Sequence, residues 1–146
     1  ENDTDKLRFY VPEAFEKVPG TTAGLQPGEL LSAKDLLYAM LLPSGNDAAI
    51  LLSQLIGLLI NLHNRRKLTG YDLYNPNTVS EDLNRTAECN IHQKTFLSAM
   101  NDKARVLGTT QTIFSNPHGN DAFETEHNLS TAVEVGRLSF SVLDNS

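Results

Sequence analysis

The stretch Leu31-Ser-Ala-Lys-Asp-Leu-Leu-Tyr-Ala-Met-Leu-Leu-Pro-Ser44-Gly45-Asn46-Asp-Ala-Ala49 decides how this sequence is read. Ser32 stands three residues before Asp35, a capping-box pattern with Asp in the place of Glu, so a helix is expected to open there. Its apolar face would carry Leu36, Leu37, Met40 and Leu41. Pro43-Ser44-Gly45 should end it, because the residue before a proline is pushed out of the helical region and Gly45 permits an unusual turn. A second helix should start at once, with Asn46 or Asp47 as its N-cap. A corner this tight between two helices holds its side chains rigidly. Ser and Asn are also favoured at such a corner for capping alone.

Outward from the corner, Ala48, Ala49, Leu51, Leu52, Leu55, Ile56, Leu58 and Leu59 wrap most of the second helix. A helix apolar on nearly all sides is buried on nearly all sides, so this is the expected central helix. Upstream, Leu7, Phe9 and Val11 alternate with Arg8 and Tyr10, as in a short strand. Gly20, Gly24, Pro27 and Gly28 then punctuate a loop. Downstream, residues 61–92 are polar and weakly periodic, with a turn of helix near Ser80–Ala87, and read as a surface excursion. Phe96, Met100, Ala104 and Leu107 recur at helical spacing, with Gly108 as the residue after the helix end. Thr112-Ile113-Phe114 reads as a short extended piece, and Asn116 to Asp121 as dense turn chemistry. Ser130 or Thr131, with Glu134 following, should cap a last helix whose buried stripe is Ala132, Val135, Leu138 and Val142.

With 146 residues, 40% apolar and 21% charged, the chain has the composition of a globular domain. Its single cysteine, Cys89, excludes an intrachain disulfide framework. A net charge of −6, from 12 basic and 18 acidic residues, argues against a nucleic-acid partner. Arg65, Arg66 and Lys67 read as solvated surface. The longest apolar stretch, Ala48 to Leu62, falls short of the ~20 residues a membrane span needs, so no transmembrane segment is expected. His118 and His127 flank Asp121, Glu124 and Glu126, but their spacing matches no metal-ligand pattern such as H-E-x-x-H. No metal site is expected, and His118 reads as a structural hydrogen-bonder.

The segment 31–49 resembles the helical lobe of the serine-type D-Ala-D-Ala carboxypeptidases, the low-molecular-mass penicillin-binding proteins, which share a fold with the serine β-lactamases. Val18-Pro-Gly-Thr-Thr-Ala-Gly24-Leu-Gln-Pro-Gly-Glu29 resembles them too. So do Phe96-Leu-Ser-Ala-Met-Asn101-Asp-Lys-Ala-Arg-Val-Leu-Gly108, Thr112-Ile-Phe-Ser-Asn116-Pro-His-Gly119 and Leu129-Ser-Thr-Ala132. These blocks follow the family's order and cover most of the chain outside 61–92. The implied fold class is mainly α: the helical lobe of the β-lactamase-like α/β fold, with the central sheet largely missing. The implied layout is one incomplete domain: residues 1–60 with the corner helices, 61–92 as a polar insertion, and 93–146 with the remaining helices.

The family's chemistry has three parts: a nucleophilic Ser in S-x-x-K, an S-x-N motif across the cleft, and a K-T-G strand. Ser44-Gly45-Asn46 matches S-x-N. Acyl transfer needs a proton delivered to the departing amine, and a hydroxyl near a lysine can relay one. The resemblance therefore makes Ser44 the proton-relay hydroxyl and Asn46 the anchor of substrate and lysine. No serine in the chain has a lysine three places on, and no K-T-G occurs. In the family these motifs lie before and after the segment matched here, so the chain reads as a middle piece. Glu1 at its start and a helix reaching almost to Ser146 favour the same reading. Alone it should catalyse no acyl transfer. Two departures stand out: the insertion 61–92, and Asn120 where an apolar residue usually follows the glycine.

Two functions follow as expectations. One is a carboxypeptidase fragment that acts on peptidoglycan stem peptides when complete and uses no cofactor. The other is a non-catalytic structural or interaction subunit that keeps the lobe as a packing module. In either case the expected partners are the remainder of the same enzyme or other protein chains covering an open apolar face, with 61–92 as a candidate docking loop. The family's enzymes act outside the cytoplasm, which sets the expected compartment.

Overall fold

The structure is a computed structural model that describes residues 3–13, 18–65, 72–120 and 127–144. It divides into two compact units, Glu1–Phe96 and Leu97–Ser146. The division falls within a helix, beyond the polar segment 61–92.

The first unit opens with α1 (Asp3–Lys6), β1 (Arg8–Tyr10), β2 (Leu30–Ser32) and α2 (Ala33–Leu41). The strands pair antiparallel, Phe9 opposite Leu31, with Phe9 fully buried and Arg8 exposed as the alternation requires. Ser32 ends β2 and caps α2. Its hydroxyl accepts from Asp35 N while the Asp35 carboxylate accepts from Ser32 N, which completes the expected capping box. Leu36 faces the core, Leu37 and Met40 are half-buried, and Leu41 is exposed.

Next come α3 (Asn46–Asn64), α4 (Pro76–Leu83) and α5 (Thr86–Val106). As expected, α3 is the central helix: Ala48, Leu51, Leu52, Leu55, Leu58 and Leu62 all belong to the core, with Phe9, Val11 and Leu36. Burying a leucine this fully contributes roughly 1.5–3 kcal/mol, so α3 dominates the unit's stability. At Gly57 the helix meets the backbone of His92 so closely that an added Cβ would stand 1.8 Å from the His92 carbonyl oxygen.

The segment 61–92 is more helical than the surface excursion, with one turn of helix near Ser80–Ala87, that its composition suggested. α3 continues to Asn64, α4 occupies Pro76–Leu83, and α5 begins at Thr86, earlier than the expected Gln93. Asn75 caps α4 by accepting from Asn77 N, with Pro76 at the first helical position. Val79 and Leu83, one turn apart, are fully buried in the core. Ser80 Oγ accepts from Tyr10 N at 2.7 Å, fastening α4 to β1. A short helix needs only one buried pair at i, i+4, too weak a periodic signal among its polar residues.

The second unit holds the rest of α5 and α6 (Ala132–Leu143). Gly108 takes φ +79 after the end of α5, the left-handed position expected of it. Between the helices, Ile113 and Leu129 form an isolated antiparallel bridge, which places the expected extended piece. Thr131 caps α6 by accepting from Glu134 N. The expected apolar stripe of α6 is a correction: Val135 is 51% and Val142 71% exposed, and Glu134 is the buried residue. The only sheet among the described residues is the two-stranded pair β1–β2. Among the described residues the architecture is mainly helical, as expected.

Candidate functional site

The corner between α2 and α3 is built as the sequence implied, with one exchange of roles. Ser44, not Gly45, takes the left-handed conformation, at φ +59. A non-glycine residue pays for this in steric strain, a cost seen mostly where position matters more than stability. Ser44 is exposed, and its hydroxyl has no hydrogen-bond partner among the described residues.

Gly45 has an ordinary φ of −71 and is the N-cap of α3, so neither Asn46 nor Asp47 fills the position expected of them. What demands glycine is close approach. An added Cβ would lie 2.7 Å from the Ala39 carbonyl oxygen and 2.9 Å from Asp47 Oδ1. The Gly45 N–H donates to that same Ala39 carbonyl, which locks the end of α2 to the start of α3.

Asn46 is 7% exposed. Its main-chain N–H donates to Thr21 O at 2.9 Å, and its Nδ2 donates to Pro19 O at 3.0 Å. Its Oδ1 has no donor among the described residues. Sequence reasoning placed Ser44 and Asn46 together on a rigid corner; the structure leaves one exposed and turns the other against the loop 18–25. The residue it missed is Asp47, whose carboxylate accepts from Ala23, Gly24 and Leu25 of that loop. The sequence offered Asp47 only as an N-cap candidate, a position that Gly45 takes. The end of α2 that flanks Ser44 carries Tyr38, Leu41 and Leu42 as exposed side chains, Leu42 at 79%.

The second unit puts its polar side chains to structural tasks. Asn101 Oδ1 accepts from Phe114 N and its Nδ2 donates to Phe114 O. Asn128 Oδ1 accepts from Ser115 N and Asn116 N, and its Nδ2 donates back to Asn116 O. His118 Nδ1 accepts from Asn120 N, the structural role expected of it. Residues 121–126, which include Asp121, Glu124 and Glu126, lie outside the described residues. Among the described residues no three His, Cys, Asp or Glu come together to hold a metal ion.

Three titratable groups are shifted, each by local bonding. The Glu134 carboxyl is held below its usual range, first by the Thr112 hydroxyl and then by the N–H groups of Gln111 and Thr110, against a burial cost. Asp35 is lowered by the Ser32 N–H and hydroxyl of its capping box. Lys34 is raised by its bond to Asp5, 3.1 Å away. None of these groups belongs to the Ser44–Asn46 corner.

No family model matches the chain, and no curated protein sequence matches it significantly. Solved structures match it over almost its whole length. A penicillin-binding protein homologue from Mycobacterium tuberculosis covers 94% of this chain at TM-score 0.65 and 23% identity. A D-alanyl-D-alanine carboxypeptidase from the same organism covers 92% at TM-score 0.59 and 25% identity. The D-alanyl-D-alanine carboxypeptidase DacD from Francisella tularensis covers 95% at TM-score 0.63 and 21% identity. The chain spans 39%, 39% and 25% of those three chains. The resemblance read from the sequence blocks is therefore a resemblance of fold. Among the described residues, no helix is long and apolar enough to cross a membrane.

Proposed function

We propose that this chain, whose fold is that of solved D-alanyl-D-alanine carboxypeptidases, is the S-x-N lobe of a serine-type peptidase of that kind. In the complete protein, Ser44 relays a proton to the departing amine during acyl transfer, and Asn46 fixes the substrate's backbone amide and the catalytic lysine. The substrate is the D-Ala-D-Ala end of a peptidoglycan stem peptide, cleaved through an acyl-serine intermediate outside the cytoplasm. The nucleophile is not in this chain, which has no S-x-x-K. The observation that carries the reading is the corner itself. A serine with an unbonded, exposed hydroxyl sits in a strained turn beside an asparagine whose carbonyl oxygen has no donor among the described residues. Capping alone explains neither feature, since Gly45 is the cap.

A fluorescent penicillin tests it. This chain alone should take up no label, whereas the product of the full reading frame should form a labelled acyl-serine. Absence of label on that product, or on any chain associated with it, would sink the catalytic reading.

A second reading keeps the lobe and discards the chemistry. The exposed Tyr38 and Leu41 of α2, Leu42 just after it, and Val133, Phe140 and Leu143 of α6, favour a packing module within a larger assembly. The same labelling separates the two, because a purely structural subunit gives no acyl-serine.

A further inference from the structure

We propose that Asp47 is a positioning residue that sets where the Asn46 side chain sits, and that it acts through the loop 18–25 rather than through the helix that carries it. Its importance for acyl transfer rests on the reading of Asn46 given above; the positioning itself rests on geometry alone.

Asp47 is 4% exposed. Oδ1 accepts from Ala23 N at 2.8 Å and from Ala48 N at 2.9 Å. Oδ2 accepts from Gly24 N at 3.0 Å and from Leu25 N at 3.1 Å. A carboxylate offers about four lone-pair sites, so these bonds saturate it. Three successive loop amides converge on one side chain, and Gly24, at φ +78, supplies the bend that lets them do so. The loop then returns to the corner. Pro19 O takes the Asn46 side-chain amide, and Thr21 O takes the Asn46 main-chain N–H. The result is a closed ring: Asp47 grips residues 23–25, and residues 19–21 of the same loop grip Asn46.

Two features of the ring go beyond capping. The acceptors that Asn46 uses lie on the loop, so its side-chain orientation is only as fixed as the loop is. Spending Nδ2 on Pro19 also fixes which end of the amide is left over, and that end is Oδ1. Gly45 belongs to the same device. An added Cβ there would stand 2.9 Å from Asp47 Oδ1 and 3.0 Å from Ala23 Cβ, inside the space the grip occupies.

The test uses this chain with Asp47→Asn, which keeps the volume but turns an N–H donor toward the loop amides. Asp47→Ser is the second variant: it keeps an acceptor at the first turn of α3 but cannot reach the loop. Amide exchange should quicken about tenfold or more at Ala23, Gly24 and Leu25, as expected for losing hydrogen bonds to a charged acceptor. Leu51 and Leu55, in the middle of α3, should keep their protection. The Asn46 Nδ2 proton resonances should move toward solvated amide values in both variants, a change a merely stabilising residue would not produce in a folded protein. Loosened loop amides with unmoved Asn46 resonances would overturn the proposal and leave Asp47 a loop staple. The reading of Asn46 fails separately: if Asn46→Ala leaves penicillin acylation of the full-length protein unchanged, the site assignment falls and the positioning stands.

Discussion

The two compact units use different chemistry to hold themselves together. In the first, α3 is buried by apolar contact on nearly every side, with Leu51 and Leu55 fully covered. In the second, α6 has a similar proportion of apolar side chains, yet most are exposed, and its buried residue is the charged Glu134. Polar bonds organise that unit: Glu134 on Thr110, Gln111 and Thr112, Asn101 on Phe114, Asn128 on Ser115 and Asn116. Apolar periodicity identifies a helix and its face; it does not say what covers that face.

The largest expected effects separate the units by core truncation. Leu55→Ala, at a fully buried position, should cost about 3 kcal/mol of unfolding free energy. Phe140→Ala, at 69% exposure, should change it by about 0.5 kcal/mol or less. Chemical denaturation measures both. Equal losses would mean that α6 is packed in solution and that the contrast between the units is wrong.

A pH titration sharpens the contrast next. The folded state lowers the Glu134 pKa, so its carboxylate stabilises the fold above the ordinary glutamate value of the unfolded chain. That contribution is lost as pH falls from there through the folded value. The protection of the Thr110 and Gln111 amides, measured relative to their intrinsic exchange rates, should therefore fall as the carboxylate is protonated, and Glu134→Gln should remove this acid step. An unchanged acid profile in the variant would show that Glu134 is not the staple.

The smallest effect is expected at Ser44. Left-handed backbone costs a non-glycine residue roughly 1–2 kcal/mol, and glycine loses roughly 0.5–1 kcal/mol more chain entropy on folding. Ser44→Gly should therefore raise stability by about 0.5 kcal/mol while removing the hydroxyl. A destabilised variant would mean that the hydroxyl holds the corner together, which a free relay group should not do.

Much of the frame was legible in the sequence because local chemistry wrote it. Ser32 with Asp35, Thr131 with Glu134, and Gly108 all act where their spacing put them. The sequence blocks pointed to the fold that solved carboxypeptidases share with this chain. Less local features were hidden. α4 buries only Val79 and Leu83 as its apolar pair, too little for a periodic signal. The α6 stripe has a clear period and still faces outward. At the corner, the motif located Ser44 and Asn46, but the grip of Asp47 on residues 23–25 spans more than twenty positions and follows no spacing rule.

The most direct test of the central claim is the rate of acylation by penicillin in the full-length protein bearing Ser44→Ala. If Ser44 relays the proton, the rate should fall about a hundredfold or more while the fold is kept, in line with the loss of a general acid–base group. An acylation rate indistinguishable from that of the unaltered protein would contradict the assignment of this corner to catalysis.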